Sequence, residues 1–377
     1  MNININIYTG NHPGTLMVDD TVNILCKMLS KKGCDCIVSS ELKTESINLI
    51  IDEFSSLERS QKIVKFKEKH PSSLIILVGT EFIERRFFVR RFNFFEGGIL
   101  DAAVVSALKI FYCLNSKYFT NNLIMSDLMI GILYSPLLIF DFIASLIKKI
   151  RNRSKDLLDR PRKHAYWVRR YLGCMKMINY VDGIVVTHSK IINTIEELDN
   201  KLPLIGTIYP EIDIENIKEN IFKNKELFIE VTGTVTPYRL KKITEIDNDI
   251  SELNLENSFK FCKAFPALGD ALKESSIRGA YSLHPPQTDN WKYSSPVRIY
   301  RALCYDYNLP ILTRRFNDHP IEDICFIYDN SNILFELNKY FYDRRSLLAV
   351  IEPRIDAYTQ KSINNNNIII NKLRNML

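Results

Sequence analysis

The side chains best suited to chemistry gather in two stretches in the second half of the chain. TGTVTPYR, residues 232–239, places Gly233, Thr234, Thr236, Tyr238 and Arg239 in a loop that follows an apolar strand and opens a helix. Such a loop turns backbone N–H groups toward a phosphate at the positive end of a helix, and here hydroxyls and a guanidinium stand beside it. YSLHPPQTDNWKYSSPVRIYRAL, residues 281–303, carries the second group. His284 ends a short apolar run, so it is expected at a strand's carboxyl end, where open α/β sheets bind ligands. Pro285 and Pro286 stiffen the exit. Ser294 and Ser295 precede Pro296, which suits the first turn of a helix, so the serines are expected at the N-cap. Arg298 and Arg301 follow three apart on one helical face. Hydroxyls, a helix N-terminus and guanidinium groups together would hold a monophosphate or diphosphate through charge-assisted bonds. Without a ligand, the same stretch reads as a capped surface helix with solvent-facing arginines and a histidine satisfied by backbone.

These groups need a scaffold that presents strand ends side by side, and the hydrophobic pattern supplies one. An apolar strand at 3–8, a Gly/His/Pro/Gly loop at 10–14 and a helical stripe through Val18, Val22, Leu25, Met28 and Leu29 open the chain, and Gly33 stops the helix before a second strand. Apolar runs at 47–54 and 73–82 flank a charged helix, and 183–189 reads as a later strand of the same sheet. Near residue 226 the plan repeats, with a strand through Val231, a turn, a helix, and short apolar runs at 259–265, 279–284, 309–313 and 324–329. Strands alternating with helices predict an α/β fold of two tandem Rossmann-like domains facing across a cleft. The expected boundaries are 1–205 for the first domain, 206–225 for a linker, 226–335 for the second domain and 336–377 for a helical tail. The Pro, Gly and polar content of 201–220 is what marks the crossing.

A chain of 377 residues, 46% hydrophobic and 25% charged, has the length for two cores and the composition of a folded protein. The net charge of +6 is too modest to demand nucleic acid, and none is expected as a partner. Cysteines 26, 34, 36, 113, 174, 262, 304 and 325 are scattered without paired CxxC units, so they read as reduced thiols, most of them buried. No basic region followed by an apolar run opens the chain, and a cytoplasmic location is the plain reading. The segment 123–155 is apolar over a length near the roughly 20 residues that span a bilayer, but Asp127, Pro136 and Asp141 interrupt it. Buried helices of the first domain, an interfacial hairpin and a membrane span are the three readings open to it. The basic run KKIRNRSK and RPRKHAYWVRR at 160–170 would set cations and a Trp among anionic headgroups in the interfacial case, placing an insertion at 123–170 on the inner membrane face.

SSPVRIYRALCYDYNLPILT, residues 294–313, resembles the stretch that reads S-P-x-K-x-x-E-A-x-x-x-G-x-P-V-V in nucleotide-sugar glycosyltransferases of the GT-B class. The likeness covers the whole chain as architecture and about 25 residues as motif. It implies a donor nucleotide against the C-terminal domain and an acceptor against the N-terminal one, with no cofactor beyond the nucleotide-sugar substrate and no metal. Many retaining members carry two glutamates eight apart, where this chain has Tyr293 and Arg301, and the usual Gly after the helix falls at Asp306 or Tyr307. The His284-Pro285 and Ser294-Ser295 elements are similar instead to those of bacterial sialyl- and Kdo-type transferases, which implies a CMP-sugar and a role on its phosphate.

What such a resemblance implies for this chain is the movement of a sugar onto a glycan or lipid-linked acceptor in bacterial surface polysaccharide assembly. The oxocarbenium-like transition state requires a stabilised departing phosphate and, for an inverting enzyme, a base for the acceptor hydroxyl. Arg239, His284, Ser294, Ser295 and Arg298 are placed for the phosphate. Glu81, just past the strand LIILVGT, is the first choice of base, with His12 in the first loop and Glu96 in NFFEGG as the others. Asp318 and Glu322 follow a later strand and are candidates for the donor sugar. A two-domain nucleotide-binding or sensing module without catalysis is the alternative. A dehydrogenase fits less well, because GNHPGT lacks the GxGxxG spacing.

Overall fold

The computed structural model describes residues 3–10, 19–51, 57–80, 177–192, 202–223, 227–232, 236–256, 259–264, 280–286, 295–316 and 318–377. Within them the chain forms two tandem Rossmann-like α/β units, each built on a parallel sheet. The first sheet runs β2 (Cys34–Ser39), β1 (Ile3–Tyr8), β3 (Ile47–Ile50), β4 (Ile75–Gly79), β5 (Gly183–Val186) and β6 (Leu204–Thr207), and every neighbouring pair is parallel. The central strands are buried on both faces, which is why they read as continuous apolar runs rather than alternating ones. Helix α1 (Asp19–Lys31) covers the sheet with Val22, Leu25, Met28 and Leu29, the stripe that the sequence pattern marks. Helix α2 (Leu57–Lys69) is clamped where Lys67 Nζ meets the Asp182 carboxylate at 2.8 Å and the Ser73 carbonyl at 2.7 Å.

The second sheet is preceded by α3 (Ile214–Lys223) and runs β11 (Phe326–Ile327), β10 (Leu309–Leu312), β9 (Tyr281–His284), β7 (Leu227–Thr232) and β8 (Phe259–Ala264). Its helices are α4 (Pro237–Glu252), α5 (Val297–Arg301), α6 (Asn332–Tyr342) and α7 (Arg344–Asn375), with a π-helical turn over Ala302–Asp306 continuing α5. Both sheets follow one plan: the first strand of each lies between its second and third. The order therefore reverses between β1 and β3 in one sheet and between β7 and β9 in the other. Ligands of open α/β sheets bind beyond the strand ends at such a reversal.

Residues 201–220, expected as a crossing, instead supply β6 and most of α3, because Ile205 and Ile208 find a place in the first core. Helix α7, expected as part of a tail, returns to cover β6. A Cβ at Gly206 would stand 2.5 Å from Ile369 Cγ1, so the glycine is what lets the helix approach. The Asn-rich run of the helix adds polar anchors to this packing: Asn365 donates to the Thr207 carbonyl, and Asn366 donates to the Tyr209 carbonyl at 2.9 Å and to Ser362 Oγ at 3.2 Å.

The two sheets are joined by a buried knot of ring side chains. Lys190 N–H donates to His188 Nδ1 at 3.1 Å, which leaves the proton on Nε2 for the Phe316 carbonyl at 3.1 Å. Ile321 N–H occupies His319 Nδ1 in the same way, and His319 Nε2 lies 3.0 Å from the Tyr300 hydroxyl, which donates to the Ile208 carbonyl at 2.8 Å. Burial pushes the His188 imidazole below its ordinary pKa and, with the neighbouring His188, takes His319 down to about 3. Both rings are neutral, and their hydrogen bonds are those of the neutral form.

Candidate functional site

The reversal between β7 and β9 brings cations together. Thr236 caps α4, its Oγ1 accepting the Arg239 N–H at 3.2 Å, and Pro237 takes the first helical position, where its missing N–H costs nothing. This turn aims Arg239 inward. Its side chain is 3% exposed, and its Nε donates to the Pro285 carbonyl at 3.1 Å, tying the first turn of α4 to the exit of β9. Burial, with Arg298 adding repulsion, lowers the Arg239 pKa to about 9.

His284 closes β9 with Nε2 2.7 Å from Ser282 Oγ. Burial first, then Arg298, Arg239 and Arg301, push its pKa down to about 3, so the ring is neutral. Its Nδ1 and the Ser295 Oγ are both buried without a hydrogen-bond partner among the described residues. Buried polar atoms left this way are costly, and a ligand that satisfies them recovers that cost. Arg298 is partly buried and makes no hydrogen bond among the described residues; burial lowers its pKa while Asp20 opposes the shift. Burial also opposes the charge of Arg301, but Asp306 Oδ2 at 3.2 Å and Asp20 Oδ2 at 3.4 Å outweigh it.

The structure thus gathers Arg239, His284, Pro285, Arg298 and Arg301, with Ser295 three residues before Arg298, and departs from expectation in several places. Pro296, not a serine, is the N-cap of α5, and no side chain caps that helix; the proline ring occupies the cap and leaves Ser295 one step outside. Arg301 does not share a free face with Arg298, since two carboxylates hold it. Thr236 spends its hydroxyl oxygen on the helix cap, and Tyr238 is half-buried on the same turn. Asp318, a candidate for the donor sugar, pairs with Lys190 at 2.7 Å, and Glu322, the other, with Arg315 at 3.0 Å and the Phe316 N–H at 2.7 Å, both in the loop after β10. His12, Glu81, Glu96, Gly233, Thr234 and Ser294 lie outside the described residues, as does the apolar and basic segment 123–170. Among the described residues no helix is long and apolar enough to cross a membrane. The described cysteines 26, 34, 36, 304 and 325 are free thiols.

Asp20 escaped the sequence reading. The only signal was its place after the Gly loop of the first strand, in an acidic first turn of α1. Tyr307, one of the two positions where the resemblance would put a Gly, holds a left-handed backbone, φ 54°, a conformation that Gly adopts more readily.

No family model matches the chain, and no curated protein matches it. Among solved structures it is similar to HepE of Anabaena in complex with UDP-glucose, at 8% identity and a TM-score of 0.44 over 99% of this chain and 100% of that one. It is also similar to the apo form of the lipopolysaccharide outer core galactosyltransferase WaaB, at 12% identity and a TM-score of 0.36 over 99% and 100% of the two chains. A third likeness is to the UDP-GlcNAc 2-epimerase of Methanocaldococcus jannaschii, at 12% identity and a TM-score of 0.32 over 89% and 92%. With TM-scores this low, the likenesses carry neither an activity nor a residue's role to this chain.

Proposed function

We propose that the protein is a GT-B-type glycosyltransferase that moves a sugar from a nucleotide-sugar donor to a glycan or lipid-linked acceptor in surface polysaccharide assembly. The observation that carries this reading is the meeting of Arg239, Arg298 and neutral His284, whose Nδ1 has no hydrogen-bond partner among the described residues, at the strand-order reversal of the second sheet. An anion between the two arginines relieves their mutual repulsion, and the His284 Nδ1 stands ready to bond its oxygens. The departing phosphate of a sugar nucleotide is an anion whose charge grows in the transition state, which is where such fixed donors act most strongly. The reading needs no metal, since the guanidinium groups supply the positive charge. The acceptor's base is assigned to Glu81, His12 or Glu96, and the 123–170 segment to a membrane surface bearing the acceptor.

Thermal stability with UDP, GDP, ADP, CMP and CDP, repeated on Arg298→Ala, tests the site. A ligand at one hundred times its Kd adds about 2.7 kcal/mol of stability, so one nucleotide should raise Tm clearly and lose the effect in the variant. A shift from CMP alone would favour the sialyl- and Kdo-like reading. No shift from any nucleotide would overturn the donor site. Single replacement of Glu81, His12 and Glu96 separates enzyme from sensor: loss of turnover by about 100- to 10,000-fold with binding intact belongs to a base.

A further inference from the structure

The cation cluster takes one of its partners from the other sheet. Asp20, in the first turn of α1, sets its Oδ2 3.4 Å from an Arg301 guanidinium nitrogen and also favours the charge on Arg298. The contact is long for a charge-assisted bond, which is about 2.7–2.9 Å when well made. Arg301 does not depend on it, because Asp306 from its own turn is already 3.2 Å away. Asp20 gains little in return: burial raises its pKa, Asp19 adds to the rise, and only Arg301 and Arg298 oppose it. A loosely held, partly buried carboxylate beside a guanidinium that makes no hydrogen bond among the described residues is the kind of partner that a stronger anion displaces.

We infer that Asp20 is a resident substitute for the ligand's phosphate. In the unliganded protein it supplies negative charge to Arg298 and shares Arg301 with Asp306; a phosphate arriving at Arg298 repels it, and its release loosens α1 from α5. Occupancy of the second sheet's site is thereby linked to the position of the first sheet. The inference rests on the anion-site reading above, and it makes Asp20 a positioning residue rather than a catalytic one.

Calorimetric titration with inorganic pyrophosphate and with UDP, GDP, ADP and CMP tests it on the full chain, for the wild type, Asp20→Asn, Asp20→Glu and Arg298→Ala. Asp20→Asn should bind pyrophosphate and the preferred nucleotide about tenfold more tightly than the wild type, within the range of coupled sites. Asp20→Glu should stay near the wild type, and Arg298→Ala should lose binding. Asp20→Ser, which suits a first helical turn, carries the same expectation as Asn and serves if the amide variant folds poorly. A purely structural role for Asp20 lowers stability without raising affinity. Unchanged or weaker binding in both neutral variants, with Arg298→Ala still deficient, would overturn the inference and leave the anion site standing. Failure of every probe on the wild type and the neutral variants would remove both.

Discussion

With Nε2 against Ser282 Oγ and Nδ1 without a partner among the described residues, His284 is a neutral imidazole held among three arginines. Protonating it there would add a fourth positive charge, so it meets a ligand as a neutral hydrogen-bonding group whose proton affinity rises once an anion is bound. If the proposed function holds, His284→Ala should leave the fold intact and reduce the proposed sugar transfer by about 100- to 1,000-fold, the size of effect seen when one donor to a developing charge is removed; release of free nucleotide from the donor measures it. Residue types made His284, Arg239 and Arg298 legible in the sequence, because each follows a strand end or opens a helix. Asp20 was not legible, since it meets Arg301 across 281 positions. Nor was the division of labour between the two arginines: spacing places Arg298 and Arg301 on one helix, and Asp306 from the following turn, with Asp20 from α1, is what neutralises Arg301.

At the scale of elements, strands were the easiest to read, because doubly buried parallel strands are unbroken apolar runs. The repeat of plan between the halves was visible as well. Two elements were misread for identifiable reasons. β6 is four residues with a central Gly, and a Pro-Gly-rich stretch looks like a connection unless the helix packed against it is known. Helix α7 buries Leu347, Ile351, Ile355, Tyr358, Ile369, Ile370 and Leu373, but a run of asparagines interrupts that stripe in the sequence, and Asn365 and Asn366 add bonds to backbone carbonyls. Gly206→Ala puts a methyl group within 2.5 Å of Ile369. Overpacking of this kind should cost about 1–3 kcal/mol. Urea unfolding measures it, and Ile369→Ala in the same chain should recover part of the loss relative to the sum of the two single changes.

For the whole molecule, the knot between the sheets sets the response to acid. His284 and His319 each have a folded pKa of about 3 against an ordinary value of 6.5, and His188 is lowered in the same direction. The unfolded chain therefore takes up these protons first. Stability owes nothing to this effect above about pH 6.5, and falls steadily as pH drops from there toward 3, by about 1.4 kcal/mol per pH unit for each histidine kept neutral. Urea midpoints between pH 7 and pH 4 should show the decline, and His319→Gln should make it shallower; a midpoint flat across that interval would contradict the buried neutral rings. Since His188 and His319 bridge β5 and the loop after β10, acid should weaken that junction between the sheets. The return of α7 to β6 has a consequence for synthesis. Strand β6, at Leu204–Thr207, is covered by a helix made only after the entire second sheet has left the ribosome. Until then the earlier unit carries an open apolar flank, so it cannot reach its finished state ahead of the later one, and the two mature as a single event whose closing step is the arrival of α7.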